Sequence, residues 1–373
     1  MWQNRIMIFF QGGYMMKRII ALGFIMFFSV VSVFAVDIDI TLPSINTGGQ
    51  AYTGVGGEAA ALAQFTDEAN DVLSKFDSMN SLLKGMSNAS SYAADGATMR
   101  NFMGYKLFSI AVGTMVSGHL PSITSYSDID NSVKKIEDAQ DLPFGVNAQA
   151  ITVGVGVNMG FLVDGLYLSG KVGSFAFNIN DFDIDMFSCG LFANYQLIKP
   201  KSLLLVAWKG LQVGTGFVYY SSDISYKTNV VSVSTDVYIT AGQATLVYDP
   251  EFDAKFSTKG IKVPVDIMTG VRLAVVDIAF GLGIDINVWS DSSLTYKAGG
   301  RTYLENSYGV TSTPGYANVS GGTTGGSADY LKAKAMVGLG VSLGPVKIDV
   351  PLTYYFDSDG SGINAGVTGA IVW

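Results

Sequence analysis

The sequence of 373 residues has almost none of the residue types that build metal and catalytic sites. Cysteine and histidine occur once each, as Cys189 and His119. A single cysteine cannot form an intramolecular disulfide, and a single histidine excludes a zinc site built from several histidines. A Ser-His-Asp triad would depend on His119, which we expect in a solvated loop. We therefore predict that the protein is not an enzyme and has no catalytic residues, no metal site and no cofactor.

Charged residues are also scarce, at 14% of the chain, and the net charge is −8. An acidic chain is a poor binder of nucleic acid, so no nucleic-acid partner is expected. Hydrophobic residues nevertheless make up 49% of the chain, which also contains 44 glycines. After residue 35, no hydrophobic run approaches the length of a membrane-spanning helix. The hydrophobic residues must therefore be spread by alternation, which is typical of a β-barrel in a membrane.

The first 35 residues predict a signal for export. Lys17 and Arg18 precede the apolar run 19–34, and Ala35 supplies a small residue at the expected cleavage position. An N-terminal membrane anchor is the alternative, because this run is near the lower length limit for a spanning helix. We expect the true start codon to be Met15 or Met16, so that residues 1–14 are translated from the normally untranslated leader of the messenger RNA. The reason is that the codons for Gln-Gly-Gly ahead of two methionines can spell a bacterial ribosome-binding signal. Region 1–35 is therefore set apart from the folded protein.

Region 36–101 is predicted to be an N-terminal helical segment. Within residues 58–86, hydrophobic residues recur at steps of three and four, which indicates an amphipathic helix. Residues 88–99 are small and polar and are expected to form a linker. The helix could dock on the periplasmic side, or it could enter a barrel lumen as a plug, as helices and loops do in some barrels.

From residue 102 onward the hydrophobic period changes to two. In residues 278–288 one face carries only Ile, Phe, Leu and Val, and the other carries Ala, Gly, Asp and Asn. The same alternation recurs in residues 151–159, 261–268, 331–341, 346–354 and 363–373. These strands are long enough to cross a bilayer at a tilt, which disfavours a soluble all-β protein. We predict an all-β fold, an antiparallel transmembrane β-barrel at 102–373 with about 12 strands, or alternatively 10 or 14.

The connections are expected to alternate between short inner turns and longer outer loops, as they do in outer-membrane barrels. The tight turns are predicted at residues 163–165, 199–201, 276–277 and 344–345. The outer loops are predicted at residues 118–145, 178–181, 222–259, 290–328 and 357–362. An extra hairpin within 222–259 would bring the strand count to twelve.

Charged residues at the polar positions of these strands are expected to face the lumen, because charge against lipid is costly. Both signs occur, so neither a pure cation path nor a pure anion path is indicated. We predict that the following residues line a transport path, where some neutralise one another or hold the plug: Lys171, Lys262, Asp266, Arg272, Asp285, Lys332, Lys334, Lys347 and Asp349.

The leader, the N-terminal amphipathic segment, the alternating strands and the terminal Ile371-Val372-Trp373 together resemble bacterial outer-membrane β-barrel proteins. This resemblance implies a location in the outer membrane, contact with membrane lipid, and an assembly signal for the outer-membrane assembly machinery at Trp373. The helical segment ahead of a medium-sized barrel is also similar to the long-chain fatty-acid transporter-like barrels of spirochaetes, whose N-terminal hatch plugs the lumen. The sequence departs from that group, because residues 36–100 lack an Asn-Pro-Ala-Gly element and the expected strands number fewer than its fourteen.

The function expected from these features is that of an outer-membrane channel or transporter for small or hydrophobic molecules, with the lumen plugged by the N-terminal helix. The alternative is a surface adhesin or structural anchor. In that case the outer loops 118–145, 222–259 and 290–328 would bind host ligands.

Overall fold

The computed structural model describes residues 37–46, 51–53, 63, 80–96, 105–121, 144–179, 181–203, 206–229, 232–305, 311–357 and 360–373. The predicted leader 1–35 and most of the predicted helix 58–86 lie outside these residues. No helix in the described part of the chain is long and apolar enough to span a membrane.

The described residues form one helix and sixteen strands. In chain order they are β1 (Asp37–Thr41), β2 (Ser44–Ile45), α1 (Asn80–Ala93), β3 (Phe108–Pro121), β4 (Gly145–Asn158), β5 (Leu166–Ile179), β6 (Phe182–Ile198), β7 (Lys201–Leu203), β8 (Val206–Asn229), β9 (Val233–Ile239), β10 (Gly242–Leu273), β11 (Val276–Glu305), β12 (Ser312–Thr313), β13 (Gly315–Thr324), β14 (Leu331–Leu343), β15 (Val346–Phe356) and β16 (Gly360–Val372).

Within the described residues, ten strands close into an antiparallel ring. Their order is β3, β4, β5, β6, β8, β10, β11, β14, β15 and β16, and β16 pairs back onto β3. The transmembrane β-barrel predicted from the sequence is therefore present. It has ten strands, which was an alternative to the preferred count of about 12. The extra hairpin that would have made twelve strands exists as β9 and the first part of β10, but it lies beyond the ring.

The outer face of the ring is apolar and unburied. On β11, Phe280, Leu282 and Ile284 point outward, and Leu282 is 67% exposed. The alternate residues Ala279 and Asp285 are buried inside. This alternation continues around the ring, so that the hydrophobic residues form a band where water contact would be unfavourable and lipid contact favourable.

The ring closes where the last strand meets the first. The backbone N–H of Trp373 donates to the carbonyl of Phe108 at 3.0 Å, and its own carbonyl accepts from Lys106 and Leu107 at 2.6 and 2.8 Å. The Trp373 and Phe108 rings stack with their centroids 4.3 Å apart. The terminal aromatic residue thus covers the seam between β16 and β3.

The two ends of the ring differ as the sequence indicates. The end called here the turn end carries the connections 159–165, 199–205, 274–275 and 344–345. Gly165, Ala274 and Gly344 adopt positive φ angles in these turns. The turn predicted at 276–277 lies two residues earlier, at 274–275, because Val276 already begins β11. The opposite end, the loop end, carries the long connections 122–144, 230–241 and 306–330 and also two short ones, 180–181 and 357–359.

The predicted outer loop 290–328 is wrong, because most of these residues form strands, and in 222–259 the expected hairpin is present but most of the remaining residues also belong to strands. β8, β10 and β11 have 24, 32 and 30 residues and continue far past the ring at the loop end. Beyond the ring their outward positions carry ion pairs such as Lys255–Asp223 at 3.0 Å. Strands that leave the lipid no longer need an apolar outer face, so they are polar on that face and resemble loops in sequence.

The pleat of β11 also changes at the loop end. Ile261 of β10 pairs with Trp289 and Lys262 pairs with Asn287, so Val288 is an extra residue in β11. Such a β-bulge reverses which face each later side chain occupies. The Lys259 ammonium lies 5.8 Å from the Trp289 ring centroid at this level, where the ion pairs replace the apolar band.

The projecting strands form a second layer of structure, called here the distal sheet. It comprises β1, β9, β13 and residues 242–258 of β10 and 291–305 of β11. Its inner side has a hydrophobic core that includes Leu42, Ile239, Leu246 and Leu304. Of the predicted loop 118–145, residues 118–121 belong to β3, residue 145 begins β4, and residues 122–143 lie outside the described part.

Candidate functional site in the barrel lumen

Helix α1 lies inside the ring and occupies its lumen. It contacts β3, β4, β8, β10, β11 and β16, and residues 85–96 are all buried. A ring of ten strands is slightly wider than an eight-stranded barrel, whose interior is filled by its own side chains. The lumen therefore has room for one helix with small side chains, and α1 consists largely of Ala, Ser, Asn and Gly.

Glycines allow the helix to approach the wall closely. A Cβ atom at Gly85 would lie 2.6 Å from the backbone carbonyl of Phe144. Two strands away in the ring, a Cβ atom at Gly362 of β16 would lie 2.4 Å from the Tyr92 ring. Side chains at these positions would displace α1 from the wall.

Small polar side chains connect the helix to the wall. Ser117 of β3 donates to the carbonyl of Ala89 at 2.8 Å, and the Asn147 side chain donates to Ser90 Oγ at 2.6 Å. The Ser91 hydroxyl donates to Asn287 Oδ1 at 3.0 Å. The predicted linker 88–99 is thus wrong for its first six residues, which form the end of α1. They resemble a linker in sequence because the helix is enclosed by a polar wall and has no apolar face there.

A cluster of buried charges joins the end of α1 to the wall. Asp95 lies just after the helix, and its Oδ1 is 2.7 Å from Lys262 Nζ. Lys262 Nζ is also 3.1 Å from Asp285 Oδ2, and Lys334 Nζ is 2.6 Å from Asp285 Oδ1. Lys334 further contacts Asp266 at 3.0 Å. These five side chains are nearly or fully buried, so each charge depends on its partners.

Aromatic rings and a third lysine lie next to this cluster. The Tyr92 ring of α1 stacks on Tyr355 of β15 with centroids 4.0 Å apart, and Lys332 Nζ lies 4.5 Å from the Tyr92 centroid. Tyr355 donates to Asp95 Oδ2 at 2.6 Å. His119 is fully buried on β3, with Nδ1 3.2 Å from the Tyr92 hydroxyl, so the expectation of a solvated loop histidine is wrong. His119 is buried because it packs against the part of α1 that the sequence analysis had assigned to a linker.

The loop-end part of the helix is fixed through Asp329, which precedes β14. Lys84 Nζ lies 2.9 Å from Asp329 Oδ1, and Asn88 donates to Asp329 Oδ2 at 2.7 Å. Burial alone would raise the pKa of Asp329, but hydrogen bonds with Asp357, Lys84 and Asn88 and the charge of Lys332 lower it below the usual 3.8. The carboxylate therefore stays charged and holds α1 at neutral pH.

All nine charged residues that the sequence assigned to the lumen lie on the inner face of the ring, but in separate groups. Lys262, Asp266, Asp285, Lys332 and Lys334 surround the end of α1. Lys171 lies apart on β5, where it donates to the carbonyl of Ala94 and approaches the Phe192 ring. That these residues line a transport path remains a prediction.

The other three predicted residues, Arg272, Lys347 and Asp349, lie at the turn end. Arg272 bonds both oxygens of Asp277, at 2.9 and 3.1 Å. Lys209 approaches the same carboxylate at 2.7 Å. Arg272, Lys209 and Lys347 border a cavity of about 360 Å³.

Sequence reasoning missed the residues of α1 that meet the wall, above all Asp95. It also missed Asp277 and Lys209 at the turn end. Asp95 was assigned to a linker, and its partners Lys262 and Lys334 are 167 and 239 residues away in the chain. One signal could have revealed the helix. Residues 86–94 contain neither Gly nor Pro, and Asp95 and Gly96 follow them as residues that end a helix.

Several solved structures show limited similarity to this chain. The translocator domain of the autotransporter NalP from Neisseria meningitidis is 11% identical, with 84% of this chain and 98% of that chain covered and a TM-score of 0.29. The toluene transporter TodX of P. putida is 8% identical, with coverage of 77% and 93% and a TM-score of 0.26. No curated protein matches the chain. A family model described as Lsa36-like matches residues 49–371.

Proposed function

The chain belongs to the Lsa36-like family, and we propose that it acts as an outer-membrane β-barrel channel closed by its own helix α1. The apolar band around the ring supports a membrane location, and the export signal predicted at 1–35 supports the outer membrane. Short connections at one end and long ones at the other support an orientation with the turn end in the periplasm. In the closed state α1 fills the lumen, and displacement of α1 opens it.

The observation that carries this proposal is the charge cluster around Asp95. Lys262 and Lys334 contact three carboxylates, of which Asp266 and Asp285 belong to the wall and Asp95 belongs to the plug segment, and Lys332 lies beside them over the Tyr92 ring. With the plug in place, the cluster has no net charge. Without it, the wall has one surplus positive charge, which only water or a solute can satisfy. A lumen lined in this way is suited to hydration once the helix leaves.

The same balance indicates the class of solute. In an opened lumen, lysines would outnumber carboxylates at the level of the charge cluster, because Asp95 leaves with the helix. Lys171 would also lose its hydrogen bond to the Ala94 carbonyl. Focused positive potential in a narrow, low-dielectric passage raises the local concentration of anions. Small hydrophilic solutes, with a preference for anions, therefore fit the wall better than hydrophobic ones.

The test is planar-bilayer conductance of the refolded chain from residue 36 onward. We expect the unchanged protein to stay mostly closed, and Asp95→Asn to open far more often. Removing one member of a buried charge cluster costs roughly 3–5 kcal/mol, and each 1.4 kcal/mol changes an equilibrium about tenfold. The open state is expected to favour anions. Asp164→Asn is the matched control, because that carboxylate is 73% exposed in a turn.

A variant lacking residues 80–96 separates the plug from the wall. If it folds as a barrel, it is expected to conduct continuously with the same anion preference. Silence of this variant and of Asp95→Asn, both shown to be folded, would contradict the channel.

A surface anchor is the second candidate, and the distal sheet favours it. β10 and β11 carry about half of their length past the ring and support β1, β9 and β13 there. A channel has no need of so large a projection. If folded barrels stay silent with and without α1, binding of host matrix proteins by the distal sheet becomes the function to measure, with a variant lacking residues 233–239 as the comparison.

A further inference from the structure

The chain visits the two ends of the barrel in an unexpected order. β1, at the start of the described chain, pairs with β13, with Ile38 opposite Val319. β13 in turn pairs with the projecting part of β11, where Val319 lies opposite Ala298. Residues 37–46 therefore lie in the distal sheet, beyond the loop end. Tyr105, only about sixty residues later, lies at the turn end, where its carbonyl accepts a hydrogen bond from Asn158 at 3.0 Å.

Helix α1 connects these two ends through the inside of the ring. At its start, Leu83 packs in a cluster with Phe256 and Leu294 at the loop end. Further along, Ser91 bonds Asn287, and Asp95 meets Lys262 in the middle of the ring. The helix thus runs from the loop end toward the turn end, and the earlier described residues 37–46 and 51–53 lie beyond the loop end.

We propose that the barrel carries its own N-terminal segment across the outer membrane and displays it at the cell surface. In this sequence of events residues 37–46 and 51–53 pass through the lumen and join the distal sheet, and α1 then fills the passage behind them. The proposal rests on the orientation in the proposed function, with the turn end in the periplasm. It adds a polypeptide substrate, namely the chain's own N-terminal segment.

The width of the lumen determines the form in which this segment crosses. The ring holds one helix with small side chains in direct backbone contact with the wall at Gly85 and Gly145. A folded sheet is wider than a helix, so residues 37–46 and 51–53 must cross as an extended chain or be enclosed by the ring as it closes. They pair with their neighbours only on the far side.

Contacts on the far side explain why the segment stays there. β1 forms five residue pairs with β13, and the backbone N–H of Asn46 donates to the Thr311 carbonyl at 2.9 Å. Leu42 becomes buried in the core of the distal sheet, and Tyr52 forms a bridge with Ile239. Return would break this pairing and re-expose the apolar side chains to water.

The experiment uses single cysteines in a Cys189→Ser background and a membrane-impermeant maleimide on intact cells. Ser44 is exposed in the displayed segment, Thr295 is exposed on the outward face of the distal part of β11, and Lys199 is 74% exposed at the turn end. We expect Ser44→Cys and Thr295→Cys to be labelled fully in intact cells. Lys199→Cys is expected to be labelled only after the outer membrane is permeabilised.

Two results would overturn the proposal in different ways. Labelling of Thr295→Cys without Ser44→Cys would keep the orientation and refute the display of the N-terminal segment. Labelling of Lys199→Cys alone would refute the orientation as well. Labelling does not depend on conductance, so a silent barrel with a labelled Ser44→Cys would refute the channel and support the display.

Discussion

At the scale of single residues, the lumen is held by carboxylates that each serve more than one partner. Asp285 accepts from Lys262 and Lys334 through different oxygens. Asp277 at the turn end accepts from Arg272 and also contacts Lys209. A buried charge is tolerated only when it is paired, so loss of one shared carboxylate removes a partner from two cations at once. Aspartates are therefore more critical to the closed lumen than the more numerous lysines.

Acidification is expected to loosen the loop-end attachment of α1. The pKa of Asp329 lies below its usual 3.8, so its charge stabilises the docked helix fully above that value. This contribution is lost as the pH falls further, through the folded-state pKa. The pair with Lys84 is partly exposed and is worth about 1 kcal/mol, which corresponds to a roughly fivefold rise in opening.

Opening frequency in planar bilayers at pH 7 and at stepwise lower values measures this effect. Asp329→Asn serves as the comparison, because it lacks the titrating group and is expected to open more often already at pH 7. An equal acid response in both proteins would assign the effect to other carboxylates.

At the scale of elements, α1 is a helix whose side chains match the polar inner wall of the barrel. Ser87, Asn88, Ser90 and Ser91 are buried, whereas a helix on a soluble core would bury a hydrophobic stripe. Only the part near the loop end, with Leu83 and Met86, packs in a hydrophobic cluster. The position of the helix therefore depends on close backbone contact more than on apolar burial.

Gly85→Ala is expected to destabilise the folded protein by about 1–3 kcal/mol, the usual cost of overpacking. The new methyl group would meet the Phe144 backbone at 2.6 Å, and backbone cannot move aside cheaply. Alanine favours a helix over glycine by about 1 kcal/mol, which offsets only part of this cost. The measurement is the temperature at which the barrel loses its heat-resistant form on a gel.

Gly369→Ala provides the control for this change. A Cβ atom at Gly369 would have nothing within 4 Å, so we expect no shift in that temperature. Equal behaviour of the two variants would show that α1 does not depend on its contact with β4.

The strands within the lipid band could be predicted from the sequence, and the elements outside it could not. Residues 278–288 alternate because one side meets lipid and the other meets the lumen, so the period and the face were both correct. Past Trp289 the outer side meets water, and the bulge at Val288 reverses the faces. The signal that defines a membrane strand is therefore absent there, although the ladder continues.

Much of the candidate site was predictable for the same reason. Lys262, Asp266 and Asp285 had to face inward, because their outward neighbours are apolar and charge against lipid is costly. Their common partner Asp95 was not predictable, because it lies in a segment without hydrophobic periodicity. Asp95 meets these residues because α1 passes through the inside of the ring, and no local sequence pattern predicts that path.

At the scale of the whole molecule, the protein has a membrane ring, a filled lumen and a sheet that projects at one end. The apolar band gives the ring a place in a bilayer, and the terminal Trp373 covers its seam. The plug and the distal sheet are connected through the N-terminal segment. Closure of the lumen and completion of the distal sheet are therefore coupled.

Ile284→Asp is expected to prevent assembly of the ring in a bilayer. Ile284 lies mid-strand in the outward band between Val265 and Ala333, so the carboxylate would face lipid. Charged residues near the bilayer midplane of a barrel cost up to roughly 2–4 kcal/mol, with Asp toward the lower end. Heat-modifiable migration after refolding into vesicles reports the result.

Thr295→Asp is the matched control for the band, since it places the same charge on an outward position beyond the lipid. Normal assembly of both variants would show that residues 276–288 do not face lipid.

The most direct test of the central claim, that α1 lies inside the ring, is a disulfide between helix and wall. The hydroxyls of Ser87 and Ser292 are hydrogen-bonded to each other. In a Cys189→Ser background, Ser87→Cys with Ser292→Cys is therefore expected to cross-link on oxidation in the folded protein, because a disulfide needs such close approach. Ser87→Cys with Ser342→Cys, at the turn end, is expected to remain reduced. Failure of the first pair to cross-link in a folded barrel, or equal cross-linking of the second, would contradict a lumen closed by α1.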